Sequence, residues 1–184
     1  SGGKGLVVGP DASPAELEKL RKKLIKALAS ENPVLLAAFR EAQREAEGAS
    51  QLLREAGAFP LCGRGDVNTY TVFADLDRSL ISRSGRCGVI VPSGIATDDT
   101  TKLFFQELVR ARSLVSLYSF FETRRVFPGT DSRDPFCLLT LAGSMTSSDV
   151  DPEFAFVLRS TGDLHDPERR FRLSPEDIRL LNPQ

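Results

Sequence analysis

Few residues of this chain have types and spacing that could support chemistry. Gly63-Arg64-Gly65-Asp66 has glycines spaced as in a phosphate-binding loop, where glycine lets the backbone approach a ligand closely. The third glycine of a dinucleotide fingerprint is missing, and the segment follows a proline-broken stretch instead of a strand. Its Arg-Gly-Asp triplet would suit adhesion only in a secreted protein. We therefore interpret it as a turn that precedes a helix.

Titratable side chains give weak signals. The single histidine, His165, lies beside acids in a loop-like stretch, without a serine or cysteine in a nucleophile setting. Such a histidine is usually a surface residue. Asp98 and Asp99 form a carboxylate pair, but at the positive end of a predicted helix they are better explained as caps than as acid–base catalysts.

The three cysteines, Cys62, Cys87 and Cys137, form no CxxC pair, and one histidine cannot complete a zinc site with them. Because Cys87 and Cys137 lie in apolar strand candidates, we predict that they are small buried hydrophobic residues. An odd cysteine count without disulfide spacing favours a reducing compartment. We expect no metal.

Composition restricts the class of protein. The 184 residues are 41% hydrophobic and 27% charged, as in an ordinary globular domain with a real core. A net charge of −1 argues against a strongly basic nucleic-acid-binding module, but not against part of a larger DNA enzyme. No apolar run approaches the ~20 residues needed to span a bilayer, and no signal peptide is visible. We expect a cytoplasmic protein with no membrane partner.

The N-terminal third reads as two helices. Residues 1–12 are predicted to be a flexible end. Ser13-Pro14-Ala15-Glu16 is a capping box with proline in the first turn, and Asn32-Pro33 repeats the cap-and-proline signal. Residues 13–60 are therefore predicted to be a helical insertion built as an αα-hairpin. Its apolar face repeats at helical spacing through Leu17, Leu20, Leu24 and Leu28.

Beyond Pro60 the pattern becomes helix, strand, helix, strand, turn, strand, which predicts an α/β core at residues 61–143. The apolar run Cys87–Val91 is typical of a strand that is covered on both faces. Further strands are predicted at Leu114–Phe120, Phe136–Leu141 and Phe154–Leu158. Residues 144–184 are predicted to contain a strand and a short helix that is capped at Ser174-Pro175.

Three local motifs resemble the C-terminal half of the catalytic domain of γ-class DNA adenine-N6 methyltransferases, especially the large fused restriction–modification and phage-defence enzymes. Asn68-Thr69-Tyr70-Thr71-Val72-Phe73 resembles the helix that follows the catalytic loop of this family. Gly88-Val89-Ile90-Val91-Pro92-Ser93-Gly94 is similar to the family's GxIVPxG strand and loop. Val126-Phe127-Pro128, before the strand Phe136–Leu141, resembles the family's last turn.

The resemblance implies a partial Rossmann-like methyltransferase sheet with an N-terminal helical hairpin. It also implies that residues 144–184 are a linker toward a following domain. It also implies a parent enzyme that methylates adenine N6 in double-stranded DNA with S-adenosylmethionine, in a prokaryotic-type cytoplasm. Neither the family's glycine-rich cofactor loop nor its Asn/Asp-Pro-Pro-aromatic loop is present, and both normally lie upstream. We therefore expect this chain alone to be inactive, to bind no cofactor, and to expose sheet edges that favour dimerisation.

By the same resemblance, site residues can be assigned. Phe127 matches an aromatic residue that packs on the flipped base, although it could simply plug the hairpin end. Pro92 and Ser93 lie at a strand's carboxyl end, where open α/β sheets place ligands. Asn68 and Tyr70 would line the pocket, with helix capping and core packing as the alternatives. The candidates for contact with the DNA backbone are Lys102, Arg124 and Arg125.

Two other interpretations compete with this one. The chain could be a degenerate, non-catalytic methylase module that binds a protein partner or DNA. It could also be an unrelated α/β domain with a coincidental strand. Strand order distinguishes the unrelated domain from a methyltransferase half. The family requires Phe136–Leu141 to be antiparallel and to lie between Leu114–Phe120 and Cys87–Val91.

Overall fold

A computed structural model describes residues 13–65, 67–121, 127, 135–146 and 151–181. The chain divides into two compact units after Gln51. No helix in these residues is long and apolar enough to cross a membrane.

The first unit contains helix α1, Pro14–Glu31, and most of helix α2, Pro33–Glu55. The predicted capping box is confirmed: the Glu16 amide donates to Ser13 Oγ, and the Glu16 carboxylate accepts from the Ser13 amide. Asn32 alone separates the helices, and its Oδ1 accepts from the Leu35 amide at 3.0 Å. These caps satisfy amides that the first helical turn leaves without partners. The predicted leucine face of α1 lines an apolar groove that Phe39 of α2 also lines.

The second unit is a five-stranded mixed sheet with helices. Its strands are β1 (Arg86–Pro92), β2 (Leu114–Phe120), β3 (Phe136–Ala142), β4 (Glu153–Leu158) and β5 (Phe171–Arg172). Its helices are α3 (Thr69–Leu80), α4 (Gly94–Thr97), α5 (Lys102–Arg110) and α6 (Pro175–Leu181). The predicted α/β class is therefore confirmed.

The strand order is β1-β3-β2-β4-β5. β3 lies between β1 and β2 and is antiparallel to both, so the placement predicted for Phe136–Leu141 is confirmed. β4 pairs in parallel with β2. The strand predicted near Phe154 is thus present as a member of the sheet, and Phe154 lies in its core.

The core covers one face of the sheet. Ile95 of α4 and Phe104 and Leu108 of α5 are fully buried with Leu117 of β2 and Leu139 of β3. Burying such a side chain contributes about 1.5–3 kcal/mol. A second, smaller cluster of buried residues consists of Phe120, Ala155 and Leu158, and part of this cluster lies on the other face of the sheet.

The prediction that β1 is covered on both faces is wrong. Ile90 is 58% exposed, and a side chain added at Gly88 would meet no atom within 4 Å. β1 is an edge strand of the described sheet, and Val91, which faces the core, is buried while Ile90 points the other way. The apolar run therefore reflects a face that no described element covers.

The turn before α3 is held by a buried acid. Asp75 Oδ2 accepts from the amides of Leu61 and Cys62 at 3.1 and 3.2 Å. Gly63 packs so closely on backbone oxygens of Leu53 and Phe59 that a Cβ would collide with them. The interpretation of this segment as a turn before a helix is confirmed for its described residues.

Candidate functional site

The carboxyl ends of β1, β2 and β4 meet the start of β3 at one end of the sheet. Pro92 pairs with Phe136, which also pairs with Phe120. Because β3 runs against its neighbours, its first residue lies beside their last ones. We call Pro92, Ser93, Ser119, Phe127 and Phe136 the strand-end site. Open α/β sheets bind ligands at such ends.

Local sequence explains how β1 ends here. Pro92 has no amide hydrogen, so it suits the last position of an edge strand. The next amide, that of Ser93, donates to the Pro135 carbonyl at 3.0 Å and ties the end of β1 to the start of β3. Pro92 is exposed and Ser93 is half-buried, which leaves both accessible at the strand-end site.

Phenylalanines form one side of the strand-end site. The rings of Phe120 and Phe136 stack with centroids 5.3 Å apart and planes at 7°. Phe127 meets Phe136 edge to face, with centroids 5.1 Å apart and planes at 87°. Aromatic pairs prefer both arrangements. Phe127 packs on Phe136 at the start of β3, as the alternative of a hairpin plug requires. Its side chain is half-buried, so part of the ring surface is exposed.

Hydroxyl groups form the other side. Ser93 Oγ and Ser119 Oγ are 3.0 Å apart, and both side chains are half-buried. Sequence reasoning identified Ser93 but missed Ser119. The available signal was a serine between Tyr118 and Phe120 near the end of an otherwise apolar strand, on the face opposite to both neighbours.

Tyr70 reaches this region through Asp98. Its hydroxyl lies 3.5 Å from Asp98 Oδ2, and a Cβ on Gly94, next to Ser93, would collide with the Asp98 carboxylate. Burial, and after it the nearby Asp98 carboxylate, raises the pKa of Tyr70 above its usual value. Tyr70 also packs against the main core, so the packing alternative is confirmed for part of the ring.

Asp98 stands at the predicted N-cap position and Asp99 lies in the first turn that follows, but the Asp98 side chain makes no capping hydrogen bond. The helical segment that starts after Asp98 is a 3-10 turn, and neither it nor α5 has a side-chain cap. The Asp98 carboxylate faces Gly94 and Tyr70 instead. Asn68 stands at the N-cap position of α3, but its exposed side chain makes no capping hydrogen bond. The alternative of a helix cap is therefore confirmed for the position of Asn68 but not for its side chain.

The DNA-backbone candidates are only partly described. Lys102 is the half-buried first residue of α5. Arg124 and Arg125 lie outside the described residues. Contact of these three residues with phosphate stays a prediction.

The cysteines are unreactive structural residues where they are buried. Cys62 and Cys137 are buried, and burial raises the pKa of each thiol to about 12. The neighbouring Asp75 carboxylate adds to the shift for Cys62. The prediction of burial is confirmed for Cys137, whereas Cys87 is half-buried. Among the described residues, no group of three or more His, Cys, Asp or Glu side chains could hold a metal ion.

A strained residue lies at the same end of the sheet. Val157 has φ of 62°, in the left-handed region that a β-branched residue rarely adopts. Pairing with β2 shifts register between Tyr118 and Phe120, which marks a bulge in this part of β4. Such backbone strain costs about 1–3 kcal/mol and clusters at functional sites.

No known family model matches this chain, and no curated protein matches it.

Proposed function

We propose that this chain is the base-receiving half of the catalytic domain of a DNA adenine-N6 methyltransferase, of the restriction–modification or phage-defence type. The observation that carries the proposal is the strand order β1-β3-β2 with β3 reversed. The motif resemblance requires this order, whereas a coincidental GxIVPxG strand does not.

The chemistry divides the work between this chain and the rest of the parent enzyme. The adenine amino group is a poor nucleophile because its lone pair is delocalised into the ring. Acceptor groups must hold it in line with the methyl group that S-adenosylmethionine supplies. The described residues offer neither the acidic glycine-rich loop for that cofactor nor the amino-group clamp. No step of methyl transfer is therefore assigned to this chain alone.

What this chain contributes is a receiving surface. The target base must leave the helix stack at a cost of a few kcal/mol. Phe127, held edge-on against Phe136, offers an aromatic surface to the extruded base. Stacking on such a ring contributes about 1–3 kcal/mol. Pro92 and Ser93 border that surface at the end of β1, Asn68 and Tyr70 line the pocket, and Lys102 contacts the DNA backbone.

The test is a methylation assay on the protein encoded by the whole gene. Mixed-sequence duplex DNA is incubated with tritiated S-adenosylmethionine, digested, and analysed by mass spectrometry for N6-methyladenine. We expect the whole protein to form N6-methyladenine in DNA and the 184-residue chain to form none. Turnover by the short chain, or N4-methylcytosine or 5-methylcytosine as the product, would overturn the proposal. DNA or protein binding by the whole protein without any labelling would favour the non-catalytic module instead.

A matched pair of variants tests the receiving surface. Phe127→Ala should lower kcat/KM about fivefold to 150-fold, the equivalent of about 1–3 kcal/mol of lost stacking. Phe171→Ala is the control, because Phe171 is also a partly exposed ring in an aromatic cluster, but on β5. Equal losses in the two variants, with equal losses of thermal stability, would show that Phe127 only plugs the fold.

A further inference from the structure

The lysines of helix α1 all lie on one of its faces. Their spacings of three, one and three residues place them in a strip about 100° wide and about 10 Å long on the helix surface. The leucine face of α1, which lines a groove with Phe39 of α2, lies on the opposite side. All of these lysines are exposed, and we call them the lysine face: Lys19, Lys22, Lys23 and Lys26.

The usual structural uses of a helical lysine do not explain the lysine face. Such a lysine can pair with an acid, but within the part of the chain that the structure describes only Lys22 of this face does so, with Glu18 at 2.6 Å. A lysine can lie in the last helical turn, where the helix dipole favours a cation, but the last turn of α1 has no basic residue. A lysine stem can also cover apolar surface, but the apolar side of α1 lies opposite.

The lysine face places like charges side by side. Its members are separated by three or four residues, and like charges at such helical spacing destabilise a helix. Residues 19–26 contain five basic residues and no acid. The exposed residues 40–47 of α2, by contrast, mix two arginines with three glutamates, and Arg44 pairs with Glu41. A mixed surface is enough for solubility, so the repulsion retained in α1 indicates a use for positive charge that no acid neutralises.

We propose that the lysine face of α1 is a contact surface for the phosphate backbone of double-stranded DNA. DNA as the partner rests on the proposed function, whereas the lysine face is an observation independent of it. Duplex DNA carries one negative charge per about 1.7 Å of its axis, so the ~10 Å strip lies beside about six phosphates. Ammonium groups on flexible stems bind phosphates as point charges, which gives affinity without reading sequence.

An anionic membrane surface is the competing partner for a basic amphipathic helix, which binds there by inserting its apolar face into the lipid. In α1 that face is turned to the groove shared with Phe39, and Leu20, Ile25 and Leu28 are half-buried. DNA needs only the lysine face, which is the exposed side of the helix. The structure therefore favours DNA.

The experiment measures binding of the protein encoded by the whole gene to a fluorescent 30-base-pair duplex by anisotropy, between about 50 and 200 mM salt. The variant Lys19→Gln/Lys23→Gln/Lys26→Gln removes three charges and keeps strong helix formers. Each phosphate contact contributes about 0.9 to the slope of log K against log salt, so the slope should become shallower by about 2–3. At 100 mM salt the Kd should rise at least about tenfold.

The matched control removes the same charge from exposed arginines that pair with an acid of their own helix: Arg44→Gln/Arg110→Gln/Arg179→Gln. Its slope should change by less than about 1, and thermal melting checks that both variants fold. An unchanged slope in the lysine variant, or equal changes in the two variants, would overturn the inference. Wild-type protein that binds phosphatidylserine vesicles but not the duplex would overturn it in favour of a membrane.

Methyl transfer is measured separately, so the two proposals can fail independently. Formation of N6-methyladenine with an unchanged slope in the lysine variant supports the proposed function and overturns this inference. A shallower slope in the lysine variant, without N6-methyladenine from the wild type, supports this inference for a non-catalytic DNA-binding module and overturns the proposed function.

Discussion

Asp75 is the residue whose removal should most directly disorder the turn before α3. Its side chain is only 4% exposed, and one oxygen, Oδ2, accepts from the amides of both Leu61 and Cys62. Replacing Asp75 with alanine removes that acceptor and leaves two backbone donors without it. Because this turn leads into α3, which bears Tyr70, we expect the change also to loosen the start of that helix.

The magnitude follows from the burial of the two amides. An unsatisfied buried donor costs about 1–3 kcal/mol, and a hydrogen bond to a charged acceptor contributes about 1.5–3 kcal/mol. Cys62 is buried and bears the full penalty, whereas Leu61 is half-buried and water can replace part of its bond. We expect Asp75→Ala to lower the free energy of unfolding by about 3 kcal/mol. Asp75→Asn keeps an oxygen in place and should cost only about 1 kcal/mol.

Urea unfolding followed by far-UV circular dichroism measures these differences. Asp99→Ala is the control, because Asp99 is exposed in a 3-10 turn, and it should change the free energy of unfolding by less than about 0.5 kcal/mol. Hydrogen exchange should show that the Leu61 and Cys62 amides lose protection in Asp75→Ala. A loss below about 1 kcal/mol, or equal losses for the alanine and asparagine variants, would refute the reasoning.

Three further predictions can be tested by urea unfolding and by light scattering. Gly143→Ala should lower the free energy of unfolding by at least about 1–3 kcal/mol, because its Cβ would collide with backbone oxygens of the turn after α3. Gly88→Ala should lower it by less than about 1 kcal/mol, because the added Cβ would meet no atom. Equal losses in the two variants would contradict this reasoning. The thiols of Cys62 and Cys137 have folded pKa values of about 12 against about 9 when unfolded, so their stabilisation is complete below pH 9 and is lost as pH rises toward 12. Cys137→Ala should therefore make the free energy of unfolding fall less steeply over that range, and an unchanged slope would count against it. Ile90→Lys on the exposed edge strand should reduce concentration-dependent dimerisation in light scattering, and a strict monomer for the parent chain at high concentration would remove the expectation of dimers.

Local signals in the sequence predicted the helix starts and the strands well. Ser13 and Asn32 marked helix starts because a short polar side chain before a proline satisfies free amides. Apolar stretches rich in strand-forming residues predicted β1, β2 and β3. The resemblance predicted their order, which hydrophobic pattern alone does not contain.

Other features depended on residues distant in sequence. Exposure of Ile90 could not be predicted, because an apolar run is the same whether or not another element covers the strand. Asp98 looked like a cap because acids suit helix starts, but Tyr70, 28 positions away, gives its carboxylate another partner. Pairing of β4 with β2 likewise depends on a long connection that has no local signature.

The sequence by itself determined the helix starts, the strands of the α/β core and the candidates Phe127, Pro92, Ser93 and Tyr70. Only the tertiary structure decided which side chains meet at the end of the sheet, where Phe136 contacts Phe127 and Ser119 contacts Ser93. The physical reason is the distance along the chain over which each interaction acts. Caps and periodicity act within a few residues, whereas a site at the end of a sheet exists only after strands far apart in the chain have paired.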